Sequence, residues 1–368
     1  MSRPSATPSQ PRPARGVGTA PRIVALVPAH NEQDRIEAAL TALRDQTLPP
    51  ETILVVADNC SDDTAQVAAD AGALVLHTSG NTHKKAGALN QGLNYLIPTL
   101  DARDLILIQD ADTLLNPGFV AHAAAALHPT VGAVGGIFYG DPGGGLLGTL
   151  QRIEFHRYAR EISRRNHRAD VLTGTATLFR TATLHRLKEA RADGRLPGGT
   201  SYYSPASLTE DDEITKAVRT LGYRTISPKG CAVTTEVMTS LPKLWHQRLR
   251  WQRGALENLR HYGLTPITWP YFARQAAMGL SVIALLLYLV FTAWMLCRGV
   301  PALSPLWIAV GLLFVVEKTV TARGAGPRCQ LLAALLVVEL AYDLFQHTVY
   351  LRCLYDFTRR RRERWPLT

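Results

Sequence analysis

The chain has little cysteine to work with. Cys60, Cys231, Cys297, Cys329 and Cys353 are odd in number, widely spaced and include no CxxC pair. That excludes a disulfide framework and a thiolate zinc site, and it fits a reducing compartment. No GxGxxG follows the first apolar run, which excludes the usual dinucleotide-binding fold. Gly143-Gly-Gly145 lacks the Lys-Ser/Thr of a phosphate loop and reads as a flexible turn. His30, His83 and His246 show no ligand spacing and read as structural. The segment from Met1 to Pro21 has no apolar core of the kind a signal peptide needs, and reads as a disordered basic tail. The net charge is +10, yet no nucleic-acid motif with interleaved aromatics accompanies it. Beside apolar segments such charge suits anionic lipid or a phosphorylated substrate, and no nucleic-acid partner is expected.

What is present is an alternation of apolar runs and helical patterns. Arg22–Pro28, Thr52–Ala57, Ala73–Leu76 and Leu105–Ile108 read as strands. Between them lie helical stretches carrying Ile36, Leu40 and Leu43, a helix opening near Thr64 as N-cap, and another opening at Ala86. Strands alternating with helices imply an α/β fold with a mostly parallel, doubly wound sheet. Leu105-Ile-Leu-Ile108 has no polar alternation, so it is buried on both faces, and it leads into Asp110-Ala-Asp112. Ligands of open α/β sheets bind at strand C-terminal ends, where Glu32, Asp58, Asp110 and Asp112 all fall. Converging carboxylates repel unless a cation or donor-rich ligand joins them, which favours a hard divalent metal over a plain turn.

Six segments then occur in a telling order. Pro28-Ala-His-Asn-Glu32, Val56-Ala-Asp58 through Thr64, Lys85-Ala-Gly-Ala-Leu-Asn90, Asp110-Ala-Asp112, Thr209-Glu-Asp211 and Gln247-Arg-Leu-Arg-Trp251 together resemble the family 2 inverting glycosyltransferases. The last segment resembles the QxxRW motif of their membrane-bound, polymer-forming branch, the synthases of cellulose, chitin, hyaluronan and poly-N-acetylglucosamine. The resemblance covers roughly residues 22–260. It implies a GT-A-type nucleotide-sugar domain over 22–240, an interfacial QxxRW segment over 241–275, membrane helices over 276–355 and a basic tail over 356–368. It also implies roles. Pro28, Asn31, Glu32 and Asp58 would hold the nucleoside end of the donor. Lys85 would reach the nucleotide or its diphosphate. Asp110 would contact the donor, and Asp112, with Asp110, would ligate Mg2+ or Mn2+. Asp211 would be the general base beside Glu210. Gln247, Arg250 and Trp251 would hold the diphosphate and form the acceptor platform, with Thr175 nearby and Thr173 and Gly174 as weaker candidates.

The chemistry asks for these residue types on its own terms. Expelling a nucleoside diphosphate from an anomeric carbon requires neutralisation of the leaving oxygens, which a metal, Arg or Lys supplies. A carboxylate must take the acceptor hydroxyl's proton, and one base with in-line attack inverts the anomeric centre. Plainer roles exist for the same residues. Asp58 could cap the next helix, Glu210-Asp-Asp-Glu213 could be a solvated helix start, and Trp251 could join Trp245 and Leu249 in an apolar cluster. The polar stretch from Lys188 to Ser207 reads as an insertion or mobile loop, and Leu172–Arg180 as one strand led by Gly174.

Beyond Trp251 the chain becomes apolar. Ala276–Cys297 is uncharged over the length a bilayer core requires, residues 303–320 are a second candidate span, and 329–351 a third, interrupted by Glu339 and Asp343. Three spans would place Arg359–Arg364 opposite a cytoplasmic catalytic domain, against the positive-inside tendency, so two spans plus one interfacial segment is favoured. Compared with the polymer synthases the chain has no membrane helix ahead of its catalytic domain and fewer after it. The expectation is thus a multi-pass plasma-membrane enzyme that extends a β-linked glycan from a nucleotide-sugar donor, most simply a UDP-sugar. A homo-oligomer or partner subunit would complete any channel. The alternatives are transfer of one sugar to a polyprenyl-phosphate or other lipid acceptor, and a non-catalytic membrane partner that keeps the fold.

Overall fold

Seven consecutive buried residues make β1 (Ile23–Ala29) the centre of a layered α/β domain. A computed structural model describes residues 20–299 and 305–359, so the tails expected at 1–21 and 356–368 lie outside the described residues except at their inner ends. After β1 come α1 (Ile36–Arg44), β2 (Thr52–Ala57), α2 (Thr64–Asp70), β3 (Leu74–His77), α3 (Lys84–Leu96) and β4 (Leu105–Gln109). These are followed by β5 (Leu114–Leu115), α4 (Phe119–Ala126), β6 (Val131–Gly135), β7 (Ile137–Gly140) and α5 (Gly145–Arg164). The domain closes with β8 (Ala176–Arg180), α6 (Thr181–Ala192), α7 (Glu210–Thr220), β9 (Arg224–Ile226) and β10 (Ala232–Thr235). Helices α8 (Leu241–Tyr262), α9 (Trp269–Cys297), α10 (Pro305–Thr321), α11 (Pro327–Ala334) and α12 (Leu336–Thr358) complete the chain.

The main sheet has the order β3-β2-β1-β4-β8-β6-β9. It is parallel except for β8, which runs antiparallel to both β4 and β6. The central parallel strands β1 and β4 are buried along their whole length because both sheet faces are covered there. Alternation along β1 divides the core in two: Val24 and Leu26 pack with α3, α6 and α7, whereas Ile23, Ala25, Val27 and Ala29 pack with α1, α2 and α4. A three-stranded sheet, β5-β10-β7, flanks the carboxyl ends of the main strands. Strand β8 begins only at Ala176, so Thr173–Thr175 form a loop and not the strand start expected from the sequence.

The stretch from Lys188 to Ser207 is also not the loose insertion expected. It stays helical to Ala192, and Tyr202, Tyr203 and Ser204 are buried. Asn90 clamps Tyr203 through reciprocal backbone hydrogen bonds of 2.9 Å, and fully buried Arg191 pairs with Glu213 at 2.6 Å.

The two faces of α8 do different things. Trp245, Leu249 and Leu256 pack on Phe345, Val349 and Cys353 of α12. Gly254 and Asn258 press instead on the turn before α7: a Cβ at Gly254 would lie 2.3 Å from the Thr209 hydroxyl, so only glycine permits that approach. Helix α9 leaves the domain from a foot fixed by Arg274–Asp170 at 2.5 Å and by the Tyr271 hydroxyl on the Asp170 carbonyl. Helix α10 ends back at the domain, where Arg157 and Arg160 of α5 donate to Lys318, Val320 and Thr321. The third apolar stretch is broken at Leu335, with α11 and α12 bent by 83°. Glu339, 3% exposed, pairs with Arg157 and Lys318, and Asp343 with Lys318, so both acids face the protein.

Candidate functional site

At the ends of β1 and β2 the backbone is bent into shape. Asn31, Asn59 and Lys84 take positive φ of 56°, 50° and 50°, a conformation that short polar Asn tolerates and Lys adopts rarely. Asp58 is buried, and its Oδ1 accepts from Thr78 at 2.8 Å, Asn81 at 2.8 Å and Asn59 at 3.0 Å. It caps nothing: the amide and hydroxyl of Thr64 are held by Asp62, and the same hydroxyl receives the Glu32 amide at 2.7 Å. Thr64 is the first residue of α2 and not its N-cap. Asn31 holds Ser61, and His30 approaches the Asp58 carbonyl at 2.6 Å, so this rim is stitched by neutral hydrogen bonds. Pro28 sits within β1, beside Val56.

The second half of the site is charged. Lys85 Nζ lies 2.5 Å from Asp110 and 2.9 Å from Glu210, bridging the end of β4 to the start of α7. Lys85 is therefore committed to carboxylates, and burial notwithstanding, those neighbours hold its pKa well above the ordinary value. Asp211 is fixed by two amides, Gly174 on Oδ2 at 3.1 Å and Asp212 on Oδ1 at 2.8 Å. A Cβ at Gly174 would meet Lys85 at 2.8 Å, Asp110 at 3.5 Å and Asp211 at 3.7 Å, so the three groups converge on one point of backbone. Asp212 points away, into Lys216 and Asn258 (2.8 Å). The acidic start of α7 is thus divided between a structural ion pair and a carboxylate facing the site. Thr175 receives the Asp110 amide on its carbonyl and contacts the Thr173 hydroxyl at 2.8 Å.

Like charges crowd here. Burial, opposed by Lys85 and reinforced by Asp112, pushes Asp110 up to about 7. Burial and then Asp112 push Glu32 up to about 7, with Glu236 adding and Arg35 subtracting. Burial and then Glu210 push Asp211 up to about 6, while Glu210 itself, desolvated but bonded to Lys85, is lowered. The missing positive charge lies where Asp110 and Asp112 meet. Among the described residues no three His, Cys, Asp or Glu form a cluster able to hold a metal by themselves. A pair of carboxylates completed by oxygens of a bound diphosphate does suit Mg2+ or Mn2+, which are rarely held by all-protein cages. The donor set fits the expected ion.

On α8, Gln247, Trp251, Gly254 and Asn258 share one face, and Trp251 is 37% exposed. Trp245 and Leu249 lie on the face toward α12, so the apolar cluster does not include Trp251. Exposed Arg250 lowers the Glu210 carboxyl and, after desolvation, the neighbouring Lys84 ammonium. Lys84 is a cation the sequence reading passed over for Lys85. The adjacent lysine pair was the only signal, because its positive φ is invisible in sequence. Arg248, within Gln247–Trp251, was also missed: it is 4% exposed, donates to Glu154 at 2.9 Å and lies over the Trp251 ring at 4.3 Å.

Comparison with known proteins accords with this arrangement. A family model described as glycosyltransferase like family 2 matches residues 21–254, and the chain belongs to that family. A poly-beta-1,6-N-acetyl-D-glucosamine synthase of Staphylococcus aureus is 26% identical over 245 residues, 64% of this chain and 55% of its own. The synthase of the same name from Staphylococcus epidermidis is 23% identical over 248 residues, 64% and 54% of the two chains. The chain therefore spans about half the length of the curated relatives it matches. A mannosyltransferase from Pyrobaculum calidifontis, solved in complex with GDP-Man and Mn2+, covers 95% of this chain and 91% of its own with TM-score 0.58 at 19% identity, a likeness of fold. The α/β domain is GT-A-like, with a mostly parallel sheet.

Proposed function

We propose that this family 2 member is a membrane-bound, metal-dependent, inverting glycosyltransferase that moves a sugar from a UDP-sugar onto a growing β-linked glycan. The observation that carries the reading is Asp211, held by the Gly174 amide at 3.1 Å against the Lys85–Asp110 pair, while Asp212 is consumed elsewhere. Asp58, Asn31, Glu32 and the Pro28 end of β1 hold the nucleoside. Arg250 and Lys84 face the diphosphate, and Lys85 pairs with Asp110 and keeps Glu210 ionised beside it. Asp110 and Asp112 would hold Mg2+ or Mn2+, which supplies the remaining neutralisation of the leaving diphosphate. Asp211 takes the proton of the attacking acceptor hydroxyl, for which a carboxyl pushed up to about 6 is better matched than an ordinary one. Gln247 and Trp251 present the face on which the acceptor sugar lies. The relatives' printed name makes UDP-N-acetylglucosamine the first donor to try.

The membrane reading rests on α9, a helix of 29 residues whose 18-residue apolar stretch has mean hydropathy 2.4 and is 6% buried. Among the described residues it is the one helix long and apolar enough by itself, or there are two spans if the bent pair α11–α12 is one. Helix α10, 17 residues and about 26 Å long at 1.5 Å per residue, exposes Leu312, Leu313 and Phe314. Both α9 and α10 are tied to the catalytic domain at one end, which favours a hairpin of two crossings with α11 and α12 returned to the cytoplasmic face. The C-terminal arginines, outside the described residues, then fall on the positive side.

One observation favours the second reading, transfer of a single sugar to a lipid-linked acceptor. Arg165, Arg168, Arg219 and Arg274 converge on Asp170 at the foot of α9, an excess of cations suited to a lipid phosphate. Purified full-length chain given a panel of UDP-sugars with Mn2+ decides between them. A ladder of products supports the polymer reading, a single added sugar on polyprenyl phosphate supports the second, and no nucleotide release from any donor refutes both.

A further inference from the structure

We propose that Arg248 is a positioning residue for the acceptor platform and that it is held in place from α12; the inference rests on the reading of Trp251 as that platform. Arg248 and Trp251 are three apart on α8, so their side chains are neighbours. The guanidinium lies 4.3 Å from the Trp251 ring centroid and 5.8 Å from that of Phe155. Its Nη2 donates to Glu154 Oε2 at 2.9 Å. The same oxygen accepts the Tyr342 hydroxyl at 2.7 Å and Gln346 Nε2 at 3.3 Å, both from α12. The chain of contact is Trp251, Arg248, Glu154, then α12.

As mere scaffolding this is a poor arrangement. The Arg248 side chain is 5% exposed, and its Nε and Nη1 are buried without a hydrogen-bond partner. A buried cation so incompletely bonded is less stabilising than an apolar residue of similar volume. What a guanidinium adds is a flat, fixed cation beneath an indole, which sets the ring's tilt. Trp251 is 37% exposed, so part of the ring faces outward from this contact. Helix α12 also lies beyond residues 21–254, the part matched by the family, so the platform is oriented by a segment outside the shared domain. The seat of α12 against the catalytic domain thereby governs how an acceptor is held, and not how the donor is.

The test uses the full chain in detergent with UDP-N-acetylglucosamine and Mn2+. Nucleotide release without acceptor and transfer to a soluble β-1,6-linked N-acetylglucosamine oligomer are measured separately. Tyr342→Phe removes one hydroxyl and leaves the ring packed. It should raise the acceptor KM about tenfold while leaving donor KM and acceptor-free release within about twofold. Arg248→Lys keeps the charge without the planar stack and should move the same quantity further. With Trp251→Ala already present, Tyr342→Phe should have no further effect on acceptor KM, whereas independent structural damage would add. An unchanged acceptor KM in Tyr342→Phe, a parallel fall of release and transfer, or additivity with Trp251→Ala overturns the inference alone. A wild-type chain that turns over no UDP-sugar overturns the proposed function and this inference with it.

Discussion

The two halves of the site are built on opposite electrostatic plans. Around Asp58 one carboxylate is satisfied by three neutral donors, Thr78, Asn81 and Asn59. Around Asp110 the carboxylates outnumber their cations: Lys85 serves Asp110, Glu210 and Asp211, Arg35 faces Glu32, and three carboxyls are pushed up to between about 6 and about 7. On the proposed function the difference separates recognition from chemistry: a rigid, hydrogen-bonded rim would bind the donor with little reorganisation, whereas a like-charge cluster calls for a cation and would leave one base with a matched pKa.

Removing the base should break the comparison hardest. Asp211→Asn should reduce transfer about a thousandfold with donor KM little changed, because general-base loss acts on the transition state alone. Asp212→Asn, beside it, should leave the rate nearly intact and lower thermal stability by leaving the buried Lys216 ammonium without its counter-charge, which rate and melting measurements together would show. Next in size is the cation. Asp112→Asn, or chelation of the wild type, should lower turnover about a hundredfold, the scale of losing one electrostatic clamp on a leaving group. Excess Mn2+ should restore the chelated wild type fully and the variant in part. On the other half, Asp58→Ala should raise donor KM about thirtyfold and leave kcat within about twofold, since on the proposed function it removes a contact to the nucleoside that is made equally in ground and transition states.

How much of this the sequence disclosed follows from which signals are local. Four of the six parallel strands were legible as apolar runs, most plainly β1 and β4, which are covered on both faces and carry no polar alternation, whereas the short β6 and β9 were not. Asp58, Asp110 and Asp211 were legible through motif order. Their geometry was not, since Asp211 and Asp212 differ only in which way the first turn of α7 points them. The packed 188–207 stretch looked loose in sequence because Asn90, which clamps Tyr203, is distant in the chain. Glu339 and Asp343 looked like membrane acids for the same reason: their partners Arg157 and Lys318 arrive from α5 and α10. Glu154 and Tyr342 carried no sequence signal at all, and Lys84 only its place beside Lys85.

The pH profile sharpens the contrast further. With Asp211 pushed up to about 6, the base is protonated below that value, so turnover should fall on the acid side and be about tenfold lower at pH 5 than at the plateau. Measured from pH 5 to 8, a rate that stays flat through pH 6 would sink the assignment of Asp211 as the base.

The smallest effect is the one that distinguishes the plans most directly, because the two halves should respond with opposite sign. The Asp211 carboxyl is raised from 3.8 to about 6, so the folded chain binds its proton more tightly than the unfolded chain does. Its ionised form therefore opposes folding: stability from this group is gained as pH falls through about 6 and is fully present below 3.8. Replacing it with neutral Asn at pH 7.5 removes that opposition and should raise Tm by about 2 °C. Asp58→Asn at the same pH loses acceptor capacity that Thr78, Asn81 and Asn59 use, and should lower Tm by about 2 °C. Melting curves of the two variants side by side decide the matter. If both fall, the charged half is a satisfied network like its neighbour, and Asp211 is held ionised by contacts as favourable as those of Asp58.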